Sequence, residues 1–167
     1  MISRKYSLGY EDALNFGFEY LRNMGYSYLI TVDADGEHDT SMIPEFISSL
    51  KNGSDLVVGK RTKYNRFSEY FLGWYFAIKW GVDDPICGMK GYKLETVSGC
   101  FDSMNLIGVE LLYKSLKSQK RISQVIMSNY FKREGLSRFG PSAIKSNLKI
   151  MKLLLKIIQL EIKAFFQ

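Results

Sequence analysis

An apolar run that ends in three alternating carboxylates is the feature that most restricts how this chain can fold. Residues 28–32 are apolar or β-branched, and Asp33, Asp35 and Glu37 follow them at every second position. The run predicts a buried parallel strand, and the carboxylates then lie in the loop at its carboxyl end, where open α/β sheets bind ligands. Alternate residues of an extended chain share a face, so the three carboxylates converge. Because such carboxylates repel one another unless a cation lies between them, the pattern predicts a Mg²⁺ or Mn²⁺ site that holds a phosphorylated ligand.

Composition and charge exclude several classes of protein. A chain of 167 residues, 46% of them hydrophobic, is expected to form one domain with a real core. The net charge of +6 favours anionic partners, either nucleotide phosphates, phospholipid head groups or nucleic acid. Two cysteines and one histidine exclude a disulfide framework and a histidine-rich zinc site. No signal-like segment and no apolar run of about 18 residues is present, so neither secretion by a visible signal nor a membrane span is expected.

Helical and extended patterns alternate along the chain. Helices are predicted over residues 8–24, 41–51, 66–80, 107–118 and 141–165, and extended segments over residues 27–33, 55–61, 89–93 and 122–130. This alternation predicts an α/β layered sheet, flanked by helices and with parallel strands at its centre.

Charged residues mark two further places where ligands could bind. Lys60 and Arg61 end the second predicted strand, which in a parallel sheet would lie beside the carboxylate loop. They are either a solvated strand end or a contact to a phosphate or diphosphate, for which arginine offers a bidentate fork. Asp83 and Asp84 precede a turn that contains glycine. One of them either caps the turn, positions an acceptor or acts as a base.

Two segments of the carboxyl-terminal part leave alternatives open. Arg133 and Arg138 flank a glycine, as in a surface loop or in a lid that closes positive charge over a leaving diphosphate. The last predicted helix carries a lysine stripe on one side and apolar residues around the rest. The helix either packs on the core with its lysines in solvent, lies in a membrane interface, or contacts a membrane-protein partner. The stripe consists of Lys145, Lys149, Lys152, Lys156 and Lys163.

Two other carboxylate motifs compete with the metal-site interpretation. An EF-hand loop that began at Asp33 would need glycine at its sixth position and glutamate at its twelfth, where His38 and Pro44 stand, so it is excluded. Residues 33–36 also resemble the motif of haloacid dehalogenase-type phosphatases, in which Asp33 would be a nucleophile. Glu37 stands where that class usually has threonine or valine. This phosphatase stays open as an alternative.

Several segments, in order over about residues 8–140, resemble motifs of glycosyltransferase family 2, which has the glycosyltransferase A fold. Within the family they look most like the dolichol- or polyprenyl-phosphate sugar transferases. The matching segments are residues 29–38 (strand and Asp-x-Asp loop), 58–61 (Gly-Ser-Arg strand end), 84–92 (Asp-x-x-x-Gly-Phe-Arg/Lys), 110–112 (acidic helix start) and 133–139 (Arg-x-Gly-x-Ser-Lys/Arg). The sequence departs from the family at Glu37, which is more usually glutamine, and at Lys60, which is usually a small residue.

The resemblance implies a fold, a reaction and a set of site residues. The fold would be a truncated, Rossmann-like glycosyltransferase A sheet over residues 1–140, followed by an amphipathic helix over residues 141–167. The reaction would be metal-dependent sugar transfer from a nucleotide-sugar donor to a polyprenyl phosphate or a sugar acceptor. Asp35 and Glu37 would bind Mg²⁺ or Mn²⁺ together with Asp33, which would also face the nucleotide. The other implied residues are Lys60, Arg61, Gly88, Lys90, Arg133, Ser137 and Arg138 at the substrates, and Asp84 as the base for a hydroxyl acceptor.

The resemblance also raises the question of completeness. Transferases of this kind open with a strand and a Pro-x-Tyr-Asn-Glu-like loop that hold the nucleotide base, and residues 1–10 resemble neither. The chain is therefore expected to be a truncated product, half of a split enzyme or a degenerate subunit. A non-catalytic, membrane-associated subunit is the alternative function. The expected location is peripheral, at the cytoplasmic face of the membrane, with the last helix as the attachment and with no nucleic acid as a partner.

Overall fold

The computed structural model describes residues 9–34, 36, 38–64, 66–97, 106–127 and 143–166. Helices and strands alternate along these residues as the sequence predicts, and most boundaries differ by one or two residues. A short 3₁₀ helix, Thr40–Met42, precedes the second helix. The elements are α1 (Tyr10–Asn23), β1 (Tyr28–Thr31), α2 (Ile43–Lys51), β2 (Leu56–Arg61), α3 (Phe67–Trp80), β3 (Lys90–Lys93), α4 (Ile107–Lys117), β4 (Ile122–Met127) and α5 (Ala143–Phe165).

The four strands form one mixed sheet in the order β1-β3-β2-β4. Strand β3 runs antiparallel to both β1 and β2, and β2 pairs in parallel with β4. The prediction of a parallel centre was therefore wrong for β3, which separates β1 from β2. The prediction of β1 as a buried parallel strand was also wrong, because β1 is half-buried, lies at the end of the strand order and pairs antiparallel to β3. The reason lies in the segment after α3, which returns the chain to the edge where β2 ends. There the backbone N–H of Arg61 donates to Asp84, so β3 enters the sheet in the opposite direction.

The core lies on both faces of the sheet because successive residues of β2 point in opposite directions. Leu56 and Val58 join a cluster with α1, α3, α4 and α5, whereas Val57 joins a cluster with α2. All three side chains are fully buried. A helical layer thus covers each face of the sheet. The carboxyl end of β1, where the sequence predicts ligand binding, lies at the border of these layers.

Helix α5 packs on the core along one face and is fastened to two other helices. Its buried side chains include Ile150, Leu153 and Ile157. Near its carboxyl end Glu161 accepts hydrogen bonds from Lys79 of α3 and, over 2.6 Å, from the Tyr113 hydroxyl of α4. No helix among the described residues is long and apolar enough to cross a membrane.

Replacing Glu161 by glutamine is expected to lower the free energy of unfolding by about 2 kcal/mol at pH 7. Partial burial would raise the pKa of Glu161, but hydrogen bonds from Lys79, Tyr113 and Lys117 outweigh it and lower the pKa to about 2. A lowered native pKa stabilises the fold above the unfolded-state pKa, about 4.5, and this contribution disappears as the pH falls towards 2. Urea unfolding between pH 7 and pH 2.5 measures it.

The matched control for this prediction is Glu95→Gln. Glu95 pairs with Lys93 at the surface, where its side chain is 69% exposed. Such pairs contribute at most about 1 kcal/mol, so little change in stability is expected. Equal losses for the two variants, or a loss for Glu161→Gln that persists unchanged at pH 2.5, would contradict the role given to Glu161.

Exposed apolar side chains form one stripe on α3 and one on α5. The first contacts between the helices (Ser68 N–H to Asn147 Oδ1, 3.0 Å) and the last (Lys79 to Glu161) join corresponding ends, so the helices run parallel. Successive residues of a helix lie about 100° apart around its axis. On each helix the apolar stripe therefore lies roughly 100° around the axis from the side that contacts the other helix. The direction of this rotation is opposite on the two helices. Both stripes therefore face the same side. This α3–α5 apolar surface consists of Phe67, Tyr70, Phe71, Trp74 and Ile78 with Ile144, Leu148, Leu155 and Ile162.

Candidate active site at the carboxyl edge of the sheet

Three segments meet at the edge where β1 and β2 end. Lys90, the first residue of β3, pairs with Thr31 of β1 on one side and with Val58 of β2 on the other. The segment before β3 therefore lies between the loops that follow β1 and β2. The prediction that the end of β2 would lie directly beside the carboxylate loop was wrong, because residues 83–88 lie between them.

Asp33 faces this central segment and is held from several directions. Its Oδ1 accepts a hydrogen bond from the Tyr10 hydroxyl over 3.2 Å, and its backbone N–H donates to His38 Nδ1 over 3.1 Å. Its Oδ2 lies against the α-carbon of Gly88, and the Gly88 carbonyl accepts a hydrogen bond of 2.9 Å from Thr31 Oγ1. The first predicted carboxylate thus reaches the edge of the sheet in a fixed orientation.

The other predicted metal ligands, Asp35 and Glu37, lie outside the described residues and stay predictions. Within the part of the chain that the structure describes, no three His, Cys, Asp or Glu side chains group closely enough to hold a metal ion. Asp33 supplies one hard oxygen donor at the position where the sequence predicts the site. That donor chemistry fits a divalent cation such as Mg²⁺ or Mn²⁺.

Arg61 is turned into the protein rather than towards a ligand. Its Nε and Nη2 donate to the two carboxylate oxygens of Asp84 over 2.6 and 2.9 Å, and Nη2 also donates to Glu69 over 3.1 Å. Glu69 in turn pairs with Arg66 over 2.8 Å. Burial alone would lower the pKa of Arg61, but its bonds to Asp84 raise the pKa, and the guanidinium stays charged. As placed, the Arg61 guanidinium joins β2 to α3, and its role at a phosphate stays a prediction.

Asp84 has both carboxylate oxygens bound to Arg61 and is only 1% exposed. A general base needs an oxygen within reach of the acceptor's proton. In this arrangement the carboxylate fixes the segment before β3, which is a positioning role. Its role as a base stays a prediction that requires release from Arg61.

The remaining described site residues divide between surface and interior. Lys60 pairs with Asp83 over 2.8 Å, and with side chains 40% and 37% exposed, both reach solvent at the edge. Lys90 is 2% exposed, and its ammonium donates to the carbonyl of Cys87 in the segment before β3. Burial raises the pKa of the Cys87 thiol to about 11, so the thiol stays protonated. Arg133, Ser137 and Arg138 lie outside the described residues and stay predictions.

Sequence reasoning missed Tyr10, His38 and Glu69. Glu69 could have been found from the sequence, because it stands on the otherwise buried face of the aromatic helix α3. A carboxylate on such a face needs a cation as its partner. His38, next to the carboxylates, is the chain's one histidine. Tyr10 gave no local signal because its contact spans 23 residues.

Comparison with known proteins assigns the family. The family model described as Glycosyl transferase family 2 matches residues 1–101, which is more than half of the chain. The chain belongs to glycosyltransferase family 2. This family assignment argues against the phosphatase alternative and supports a glycosyltransferase activity.

Two curated relatives of this family 2 chain carry names from polyprenyl-phosphate chemistry. Polyprenol monophosphomannose synthase of Mycolicibacterium smegmatis is 22% identical over 152 residues, covering 77% of this chain and 55% of the relative. Dolichol-phosphate mannosyltransferase of Pyrococcus furiosus is 26% identical over 159 residues, covering 87% of this chain and 43% of the relative. The chain thus spans about half the length of these relatives.

Solved structures support the glycosyltransferase A fold. Glucosyl-3-phosphoglycerate synthase of Mycobacterium tuberculosis superposes with a TM-score of 0.68 at 17% identity, over 93% of this chain and 57% of that chain. The same enzyme in complex with Mn²⁺, uridine diphosphate and phosphoglyceric acid gives a TM-score of 0.68 at 16% identity, over 90% and 54% of the two chains. At these identities the likeness establishes the fold alone.

Proposed function

We propose that this chain carries the metal and diphosphate site of a family 2 transferase that moves a sugar from a nucleotide-sugar donor to a polyprenyl phosphate. The observation that carries the proposal is the Asp33 carboxylate, held at the carboxyl edge of β1 by Tyr10 and Gly88. The names of the curated relatives support the acceptor class. The structural neighbour bound to Mn²⁺ and uridine diphosphate supports a divalent metal and a nucleoside diphosphate.

Asp33, Asp35 and Glu37 would hold the metal, and Lys60 is the described cation at the edge that can approach the diphosphate. A bound Mg²⁺ or Mn²⁺ would offset the charge that develops on the leaving nucleoside diphosphate. Arg133, Ser137 and Arg138 are proposed to add positive charge and a hydroxyl from the segment before α5. In this arrangement Arg61 contributes indirectly, because it fixes the segment that carries Gly88.

The state of Asp84 favours a phosphate acceptor over a sugar hydroxyl. A hydroxyl must lose a proton as it attacks, which requires a base within hydrogen-bonding distance. Asp84 is occupied by Arg61 and is closed to solvent. A polyprenyl phosphate oxygen is already anionic and attacks without such a base, so its chemistry matches the site better.

The α3–α5 apolar surface supports a membrane surface as the partner. Aromatic residues such as Trp74 and Tyr70 favour the membrane–water interface, and the lysines of α5 flank the apolar stripe on the side away from α3. An apolar surface flanked by a row of lysines suits a leaflet with anionic lipids, such as the cytoplasmic face of a membrane. The surface would hold the site next to the lipid that carries the acceptor phosphate.

The donor site is tested by titration calorimetry of the chain with Mn²⁺ and uridine or guanosine diphosphate. Asp33→Asn is expected to weaken binding about 10- to 100-fold, as loss of a group at a metal site typically does. Asp55→Asn is the matched control, since Asp55 bonds to the Arg121 N–H at the opposite edge of the sheet, and no change is expected.

The outcomes of this titration separate the two candidate functions. Binding that is lost in Asp33→Asn and retained in Asp55→Asn supports the transferase site. A folded wild-type chain that binds neither diphosphate with Mn²⁺ rules the donor site out. If that chain still binds anionic vesicles, the non-catalytic membrane-associated subunit becomes the better description.

A further inference from the structure

Gly88 lies where no side chain fits. A β-carbon built on it would be 2.1 Å from Asp33 Oδ2, 2.8 Å from Asp33 Cγ and 2.9 Å from His38 Cε1. Real β-carbons essentially never approach another heavy atom below 3.0 Å. The Asp33 carboxylate therefore occupies the volume that any other residue at position 88 would need.

The requirement for glycine at position 88 is one of space and not of backbone conformation. The glycines with positive φ among the described residues include Gly36 and Gly81, where the left-handed backbone itself favours glycine, but not Gly88. An alanine could adopt the Gly88 backbone without strain. Its methyl group alone would create the conflict. The groups it would meet are the Asp33 carboxylate, most closely, and His38 Cε1.

Neither partner can move away easily. The backbone around Gly88 is fixed from below by Thr31 Oγ1, which donates to the Gly88 carbonyl over 2.9 Å, and by the Lys90 ammonium, which donates to the Cys87 carbonyl. Asp33 is fixed from the other side by the Tyr10 hydroxyl, over 3.2 Å. Three separate elements (α1, the end of β1 and the segment before β3) thus set one direction for the carboxylate.

We propose that Gly88 and Tyr10 are positioning residues for Asp33: the missing side chain of Gly88 receives one carboxylate oxygen, and the Tyr10 hydroxyl binds the other. This assigns Gly88 a role different from direct substrate contact and brings α1 into the site. The consequence for donor binding rests on the proposed function, whereas the positioning of Asp33 does not.

A double-mutant cycle on thermal unfolding tests the positioning by itself. Gly88→Ala is expected to lower the melting temperature by about 5 °C, because the new methyl group displaces a held carboxylate. In an Asp33→Ala background the same change is expected to lower it by less than about 2 °C, since both conflicting Asp33 atoms are gone. Gly17→Ala is the control, because nothing lies within 4 Å of a β-carbon there and no loss is expected. An equal loss in both backgrounds would overturn the proposal.

A binding measurement adds a quantity that would not change if Tyr10 contributed only to packing. Tyr10→Phe is expected to weaken binding of Mn²⁺ with uridine diphosphate about 5-fold, which corresponds to the loss of one typical hydrogen bond. In the Asp33→Ala background Tyr10→Phe should have no further effect. Tyr26→Phe, at an exposed tyrosine, is the control and should leave binding unchanged.

The two experiments fail in distinguishable ways. If the wild-type chain binds no Mn²⁺ with uridine diphosphate, the proposed donor site fails, and the unfolding cycle alone decides the positioning of Asp33. If binding occurs but Tyr10→Phe weakens it equally with and without the Asp33 carboxylate, Tyr10 is not a positioning residue for Asp33.

Discussion

Replacing Arg61 by methionine is expected to lower the free energy of unfolding by about 4 kcal/mol, within the range for breaking a buried ion pair. The guanidinium holds Asp84 through two side-chain bonds and Glu69 through a third, and both carboxylates are almost fully buried. Methionine keeps much of the volume but leaves Asp84 charged, buried and without its cation. Urea unfolding at pH 7, with the slope compared between variants, measures the loss.

Lys60→Met is the matched control, because Lys60 precedes Arg61 on the same strand and carries the same charge. Its pair with Asp83 is half-exposed, and such a pair contributes at most about 1 kcal/mol. A second variant, Arg61→Met with Asp84→Leu, removes both charges and is expected to recover part of the stability. Equal losses for Arg61→Met and Lys60→Met would show that Arg61 does not hold a buried network.

The Arg61 network connects two parts of the molecule with different proposed roles. Glu69 belongs to the first turn of α3, whose outer face is part of the α3–α5 apolar surface. Asp84 begins the segment that carries Gly88 to Asp33. One arginine therefore fixes the helix proposed to face the membrane and the segment that positions the first carboxylate of the donor site. The charge of Arg61 holds both parts in place through its bonds to Asp84 and Glu69.

Local patterns were enough to predict the elements of this fold. The runs of apolar and β-branched residues located β1 and β2, and the spacing of apolar residues located the helices, because each pattern depends only on neighbouring residues. Asp33 could be placed at the end of β1 for the same reason. The direction of β3 could not be predicted, since residues 89–93 have the same pattern whichever way the strand runs.

The roles of charged residues required contacts that are distant in sequence. Lys60 and Arg61 were predicted together, as either a solvated strand end or a contact to a phosphate, although neighbours on a strand point to opposite faces and only one of them reaches solvent. Nothing local indicates which. The partner that decides it, Asp84, is 23 residues away, as Tyr10 is from Asp33. Separations of this size are set by how the sheet brings the loops together.

Removing three lysines of α5 is expected to weaken binding to anionic vesicles about 100-fold, since each lysine near such a surface contributes about 1 kcal/mol. The variant is Lys145→Gln, Lys149→Gln and Lys152→Gln, all exposed on the outer flank of the α3–α5 apolar surface. Co-sedimentation with vesicles that contain phosphatidylserine, at two salt concentrations, measures the partition. The lysine contribution should shrink at the higher salt concentration, because screening weakens attraction between exposed charges.

Two further variants separate a lipid surface from a general effect of charge. Lys51→Gln with Lys114→Gln and Lys120→Gln removes the same charge outside α3 and α5, and a much smaller loss is expected because these lysines do not flank the apolar surface. Trp74→Ser tests the apolar contribution and should weaken binding to neutral vesicles as well, since the indole ring enters the interface without needing anionic lipid. If both lysine variants lose binding equally and Trp74→Ser changes nothing, binding to the vesicles depends on net charge alone. The α3–α5 apolar surface then does not contact the membrane.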